Sequence, residues 1–493
     1  MQQIKSKNNA ELAPKVLDEN ALTLVLEPHE RPKSIGQWII LSFQHVFAMF
    51  GSTVLVPMII NATATAKLGS PIEVMNISMA LFCSGVGTLV YIACTKAKVP
   101  MYLGSSFAYM SAIGTNFPLY GNAVFIAIMV AGLIYILFGV VAYYVGTKFI
   151  ETLLPAVVVG PIIIVIGIGV APSAVDNAGL NATNWKEGYP AWLGIIIALF
   201  TAGVTMIMAL KAKGFFKIVP ILSGVIAGYL FAMILHLSNP DWGILNTKLL
   251  TDTSAWEWHP SFKKFWDVKG ADIGPAIIAI SPLALVAIAE HIGEHISLGY
   301  MTGKNFVKKP GMHRTLIADG ISIVFDGLVG GPPNTTYGEN TSVVGMTKVA
   351  SVWVTGLAAI FAIILSFLAP VNQIILMMPK PVMGGISMIM FGLIAANGIR
   401  VLISNKIDYG NMRNVFITAL ILVLGLGSAV IKITTGASAL EFNGVALAAF
   451  GGIILNLILP RKLNDGFYLW NWMKAQISTR KKTSKSKDKT PNN

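Results

Sequence analysis

Charge is what this sequence has least of. Only 12% of its 493 residues are Asp, Glu, Lys or Arg, whereas 54% are hydrophobic, a balance that excludes a disordered chain and an ordinary water-facing surface. Cysteine is nearly absent. Cys83 and Cys94 fall in one apolar run, so the chain has no disulfide framework and no metal-ligand spacing. The polar arm through Ser34 lacks the apolar centre of a signal peptide, so the first apolar run is expected to stay in the mature chain. An aspartate-rich diphosphate site and a catalytic His/Cys cluster are also missing, which argues against an enzyme and calls for no cofactor. Gly167-Ile168-Gly169 has neither the strand nor the third glycine of a dinucleotide loop and reads as helix packing.

What the chain does have is apolar runs of about 20 residues, the length that crosses a bilayer. With a mean hydropathy of +0.68 this is an all-α polytopic membrane protein. Spans are expected near residues 37–60, 74–95, 101–117, 122–145, 149–171, 192–210, 218–237, 273–300, 315–328, 349–368, 374–397, 414–431 and 442–459. With 331–348 as the tenth, they make about fourteen. The formal charge of +13 gathers between the runs and in the tail, so it marks topology and contact with anionic membrane lipid, and no nucleic acid partner. The positive-inside rule then puts both termini in the cytoplasm of a multi-pass protein of the cell membrane. Phe467, Tyr468, Trp470 and Trp472 are expected at the headgroup level ahead of a basic tail.

Two segments do not suit lipid. The third, around Tyr102-Leu103-Gly104-Ser105-Ser106-Phe107-Ala108-Tyr109, is polar and glycine-rich, and the tenth runs from Gly331 to Lys348. In the tenth, Pro332 and Pro333 oppose helix and a short helix is expected to begin near Glu339, with free N–H groups aimed at a ligand. The alternative is an ordinary re-entrant or extramembrane loop. The halves also echo one another. Gln44-His45 matches Glu290-His291, Gly104-Ser105-Ser106 matches Gly338-Glu339-Asn340, and the stretch from Leu154 to Gly160 matches Met378 to Gly384. Seven segments per half force opposite orientations, so the plan is two inverted repeats whose broken segments, three and ten, meet at the midplane.

A carboxylate at a helix centre costs about 2.5 to 3.5 kcal/mol even on the lenient insertion scale. Glu290, Glu294 and Glu339 therefore need a reason to be there, and removal from water makes a carboxyl group a candidate to hold a proton. A network that only fixes helix packing is the competing reading, and Glu294, one turn beyond Glu290, fits it best. His45, His291 and His295 read as hydrogen-bonded packing residues, without a metal site.

Four motifs carry a resemblance. Gln44-His45-Val46-Phe47-Ala48-Met49-Phe50-Gly51, Tyr102 to Ala108, Ala289-Glu290-His291-Ile292-Gly293 and Pro333 to Asn340 are similar to those of the nucleobase-ascorbate transporter family, over about residues 35–459 and within its bacterial uracil-carrying subgroup. The resemblance implies a uracil:proton symporter of fourteen segments, often a homodimer. It implies a cytoplasmic arm (1–34), a core domain (35–145 and 273–370), a gate domain (146–237 and 371–460), an extracellular loop (238–272) and a cytoplasmic tail (461–493). Glu290 and Glu339 would bind substrate, Phe107 and Gly338 would offer backbone N–H groups, and Tyr337 and Ser52 would line the pocket. Glu290 and Glu294 would couple the proton, supported by Gln44, His45, His291 and Asn340. Purine carriers of the family resemble Gln-Asn where this chain has Glu339-Asn340, so Glu339 leans toward pyrimidines. Ser342 stands where the family has glycine, and Glu294 where some uracil carriers have histidine. A xanthine or purine symporter of the same family and an anion exchanger of the same architecture are the alternatives.

Overall fold

In lipid a helix satisfies its own N–H and C=O groups, so apolar runs become helices. The computed structural model describes residues 24–460 except 147, 182, 184, 186, 214–215, 217–218, 428, 436–437 and 443. The tail with Phe467, Tyr468, Trp470 and Trp472 lies outside the described residues, as does the arm before residue 24.

The first half forms α1 (Ile35–Leu68), α2 (Ile77–Cys94), strand β1 (Leu103–Ser105), α3 (Met110–Tyr120) and α4 (Ala123–Val145). It continues through α5 (Lys148–Leu153), α6 (Ala156–Gly169), α7 (Ala171–Asn177), α8 (Ala191–Lys211) and α9 (Pro220–Ser238). After a long loop come α10 (Gly270–Ile280), α11 (Ala284–Thr302), α12 (Met312–Val329), β2 (Asn334–Thr336), α13 (Gly338–Thr347) and α14 (Val352–Ser366). The chain closes with α15 (Ala369–Leu376), α16 (Lys380–Ser404), α17 (Met412–Leu426), strands β3 (Ile431–Thr435) and β4 (Ser438–Phe442), and α18 (Gly444–Ile458).

Local chemistry sets the boundaries. Ser34 caps α1 by accepting the Gln37 N–H at 3.2 Å, and Gly69 ends it in the left-handed region at φ 77°. Pro155, which lacks an N–H, splits the span expected over 149–171 into α5 and α6. A 3-10 turn at Ser281–Leu283, containing Pro282, likewise joins α10 to α11. The segment expected to start at 374 begins as α15, bent 79° from α14, and α16 starts at Lys380 behind Pro379. Two span ends shift: α17 ends at Leu426 and α18 begins at Gly444, because residues 431–435 and 438–442 pair as antiparallel strands, β3 with β4. The alternating, β-branched run Ile431-Lys432-Ile433-Thr434-Thr435 favours strand over helix.

Among the described residues eight helical spans are long and apolar enough to cross a membrane, or nine if the bent α14–α15 pair is one span. The number is below fourteen for physical reasons. Helix α12 carries Arg314, Asp319 and Asp326, α17 and α18 have 15 residues each, and the broken segments are short.

Packing repeats between the halves. Helix α4 lies on α12 and α2 lies on α14, which exchange under the repeat, and α8 on α9 is mirrored by α17 on α18. The close pairs rest on glycine. A Cβ on Gly132 would sit 2.6 Å from the Gly320 carbonyl oxygen and one on Gly320 would sit 2.7 Å from that of Gly132. Gly160 of α6 and Gly398 of α16 make the same reciprocal approach, at 3.0 and 2.6 Å. Gly167 packs in this way against Phe391, whereas Gly169 faces open space, so only half of the Gly-Ile-Gly packing expectation applies.

Strands β1 and β2 pair antiparallel, Leu103 opposite Thr336, Gly104 opposite Thr335 and Ser105 opposite Asn334. Each strand leads into helix two residues on, at Phe107 and at Gly338. This register corrects the internal match, since Gly104 corresponds to Thr335 and Phe107 to Gly338. Aligning glycine with glycine misled by three positions because the two serve different ends. Gly104 lies under the Tyr337 ring, while Gly338 opens a helix.

Candidate functional site

The site forms where the polar stretch 331–340 interrupts the apolar bundle. Asp326 of α12, fully buried, fixes the approach. Its carboxylate accepts the Asn334 backbone N–H at 2.8 Å and the Asn334 side-chain amide at 3.1 Å, and that amide also donates to the Cys83 carbonyl at 2.8 Å. The Tyr337 N–H donates to the Tyr102 carbonyl at 3.0 Å, and its hydroxyl donates to the Ser105 carbonyl at 2.9 Å while accepting from Thr53 at 3.2 Å. Helix α13 then starts with Tyr337 as its cap. Its first-turn amides have no acceptor inside the helix and form a locus of partial positive charge.

Two carboxyl groups meet at that start, and a third lies one turn away on α11. Glu339 lies in the first turn of α13, half-buried, and its Oε1 accepts the Ser52 hydroxyl of α1 at 2.7 Å. Glu294 of α11 lies against Gly338, where a Cβ would come within 2.8 Å of its Oε1. Glycine there admits the Glu294 carboxyl to the mouth of α13. Glu290, one turn earlier and half-buried, has no hydrogen-bond partner among the described residues. Phe107 opens the 3-10 turn that follows β1 and is half-buried at the core edge.

Supporting residues hold the frame. His45 is buried in α1, and the Asn340 side-chain amide donates to its carbonyl at 3.0 Å and lies 3.2 Å from Nδ1. Gln44, next to it, is half-buried and makes no hydrogen bond among the described residues. His291 and His295 face away from the carboxyl cluster into a buried chain. His291 Nδ1 is 2.6 Å from Asp319 and its Nε2 is 2.9 Å from the Thr315 hydroxyl, while His295 bridges the His291 carbonyl at 2.6 Å and the Tyr91 hydroxyl at 2.5 Å.

Sequence reading missed Asp319 and Asp326, although the rule that flagged the glutamates applies to both. Ser342 is exposed and its hydroxyl returns to the Gly338 carbonyl at 2.9 Å, so the added side chain displaces no neighbour. A small cleft of about 30 Å³ between α1, α9 and α16, lined by Phe50, Val54, Leu222, Met383 and others, is almost entirely apolar and gives a polar ligand little to bond to.

A broken helix start ringed by carboxyl groups inside an apolar bundle is the build of a membrane carrier for a small polar solute. Comparison with known proteins agrees. A family model described as a permease family matches residues 36–434. The chain is 40% identical over 433 residues to the uracil permease of Bacillus subtilis, covering 86% of this chain and 93% of that one. It is 39% identical over 431 residues to the uracil permease of Escherichia coli K12, covering 87% and 92%. The chain belongs to the nucleobase-ascorbate transporter family. Its fold is similar to that of the murine Solute Carrier 26 family member A9 anion transporter in the inward-facing state, with a TM-score of 0.56, 12% identity and coverage of 92% of this chain and 73% of that one.

Proposed function

We propose that the protein imports uracil together with protons across the cytoplasmic membrane, with both termini in the cytoplasm. The observation that carries this reading is the meeting of Glu294 and Glu339 at the open start of α13, with Glu290 one turn back on α11, in a chain whose relatives are uracil permeases. Uracil presents two carbonyl acceptors and two ring N–H donors. Carboxylates accept from N–H groups, and the first-turn amides of α13 donate to carbonyls, so the two sets are complementary. Ser52 occupies one oxygen of Glu339 and leaves the other for a ring N–H.

In this mechanism uracil bridges Glu290 and Glu339, with Tyr337 and Phe107 at the pocket wall. A proton on Glu290 or Glu294 removes charge from the bilayer interior before the loaded site moves. The moving body is a core of residues 35–145 and 273–370, which shifts against a gate of 146–237 and 371–460 through which two copies pair. Binding drives the change only by favouring one orientation over the other.

The test is radiolabelled uracil uptake into proteoliposomes with and without an inward proton gradient, for the wild type and Glu290→Gln. Gradient-driven uptake that the substitution abolishes is expected. Absence of uracil uptake by folded wild-type protein, or its displacement by xanthine, would sink the substrate assignment. Uptake indifferent to the gradient would sink proton coupling.

A further inference from the structure

The arm ahead of α1 is not a loose tether where it is described. Residues 24–26 run beside the linker that follows α13, forming a parallel bridge between Leu26 and Val349, and the chain then turns over Glu27–Glu30, where the Glu30 N–H donates to the Glu27 carbonyl at 3.0 Å. The Val25 N–H donates to the Lys348 carbonyl at 2.8 Å, the Ala350 N–H to the Leu26 carbonyl at 2.9 Å, and the Val352 N–H to the Pro28 carbonyl at 3.0 Å. Ser351 bonds to the Glu30 carbonyl, and the Trp353 indole N–H donates to that of His29 at 3.1 Å. This is strand addition within one chain, with main-chain bonds supplying the grip.

The same arm reaches a second helix. Glu27 pairs with Lys304 at 2.6 Å, directly beyond the end of α11 at Gly303. Leu24 packs into the apolar cluster that contains Leu298 of α11, Val344 of α13 and Ala350. These contacts fall on the C-terminal halves and ends of the two helices that carry Glu290, Glu294 and Glu339. Helix α11 bears Glu290 and Glu294, and α13 bears Glu339. From Glu339 to Lys348 is nine residues, about 14 Å of helix. A rigid helix gripped at one end transmits a displacement to the other, and Glu294 of α11 lies against Gly338 of α13.

We propose that residues 24–30 are a brace that sets the spacing of α11 and α13, and that Leu24 and Glu27 are positioning residues for the carboxyl cluster. The main-chain grip at Lys348 lies about 14 Å along α13 from Glu339, Leu24 packs one to two turns from the glutamates at Leu298 and Val344, and neither contact is with substrate. Its kinetic consequence rests on the uracil uptake proposed above; its structural consequence does not.

The experiment compares the full chain with one lacking residues 2–33, which keeps the Ser34 cap of α1, by hydrogen exchange of the reconstituted protein. The amides of Ala350 and Val352 lose their acceptors in any case. The expected result is that exchange also rises, at least about fivefold, across 338–347 while 412–426 is unchanged. Unchanged exchange at 338–347 overturns the proposal, and so does an equal rise in 412–426, which would mean general loosening. Should the shortened chain not fold, Glu27→Lys alone and combined with Lys304→Glu replace it. The single variant is expected to raise exchange at 338–347 and to raise the uracil KM about two- to fivefold at unchanged maximal rate, and the charge-swapped pair to restore both. Failure of the swap to restore exchange overturns the brace. Failure of the wild type to take up uracil overturns the substrate assignment and leaves the exchange result to decide the brace.

Discussion

Ser52 and Glu339, 287 residues apart in sequence, meet in a 2.7 Å hydrogen bond that joins the middle of α1 to the first turn of α13. The serine orients one carboxylate oxygen and so presents the other. A hydrogen bond to a charged group contributes about 1.5 to 3 kcal/mol. Ser52→Ala is therefore expected to raise the uracil KM by about tenfold or more and to lower the melting temperature, since the same bond ties α1 to α13. Uptake kinetics beside a melting curve check this, and an unchanged KM would refute the orienting role.

Two glycines in the broken segments should respond differently to the same methyl group. At Gly338 the new Cβ meets only the far end of the Glu294 side chain, at 2.8 Å, which can swing aside. At Gly104 it lands 2.5 Å from the Tyr337 ring carbon that bears the hydroxyl, and that hydroxyl is tied down by two hydrogen bonds. Gly338→Ala should keep the melting temperature and lower uptake. Gly104→Ala should lose about 1 to 3 kcal/mol of stability. Equal melting temperatures would contradict the account.

Asp326 holds β2 by two bonds to Asn334, one to its backbone and one to its side chain. Asp326→Ala leaves the buried Asn334 backbone N–H unpaired, at a cost of about 1 to 3 kcal/mol, while the Asn334 side-chain amide keeps the Cys83 carbonyl and the Ser322 hydroxyl. Recovery of monodisperse protein in detergent should fall sharply. Asp326→Asn, which retains one acceptor, should fall between the alanine variant and the wild type.

Gly132 and Gly320 face each other's backbone so closely that a methyl group on either would lie 2.6 or 2.7 Å from the carbonyl oxygen of the other. Gly320→Leu must drive α4 and α12 apart. Because α12 holds the buried Asp319 and Asp326, the substitution should abolish uptake through misfolding. A folded Gly320→Leu protein with normal uptake would show that the helices need not approach so closely.

Much of the site was legible because its chemistry is out of place. Glu290, Glu294 and Glu339 stand out in apolar surroundings, and Pro332-Pro333 announces the break before α13. Asp319 and Asp326 carried the same signal but sat in a shorter, less apolar segment, where a carboxylate is less conspicuous. The placing of Glu294 depended on Gly338, a contact between helices that no single segment encodes. The correspondence of Phe107 with Gly338 needed the strand register, because residue identity differs at every paired position of β1 and β2. The arm at 24–30 is polar enough to read as solvated, and its partner at 348–352 is over three hundred residues away. The hairpin at 431–442 was hidden by apolar residues at both its ends.

The ribbon of β1 and β2 has an implication for assembly. Leu103 opposite Thr336 and Ser105 opposite Asn334 place a local dyad between Gly104 and Thr335, so the contact is isologous, of the kind that joins two identical subunits. A half of the chain standing alone in lipid would expose an unpaired strand edge, which the hydrocarbon does not tolerate. Neither half is then a self-sufficient folding unit, and the two broken segments become stable only in each other's company. Separately expressed halves should accordingly be recovered as a complex or not at all.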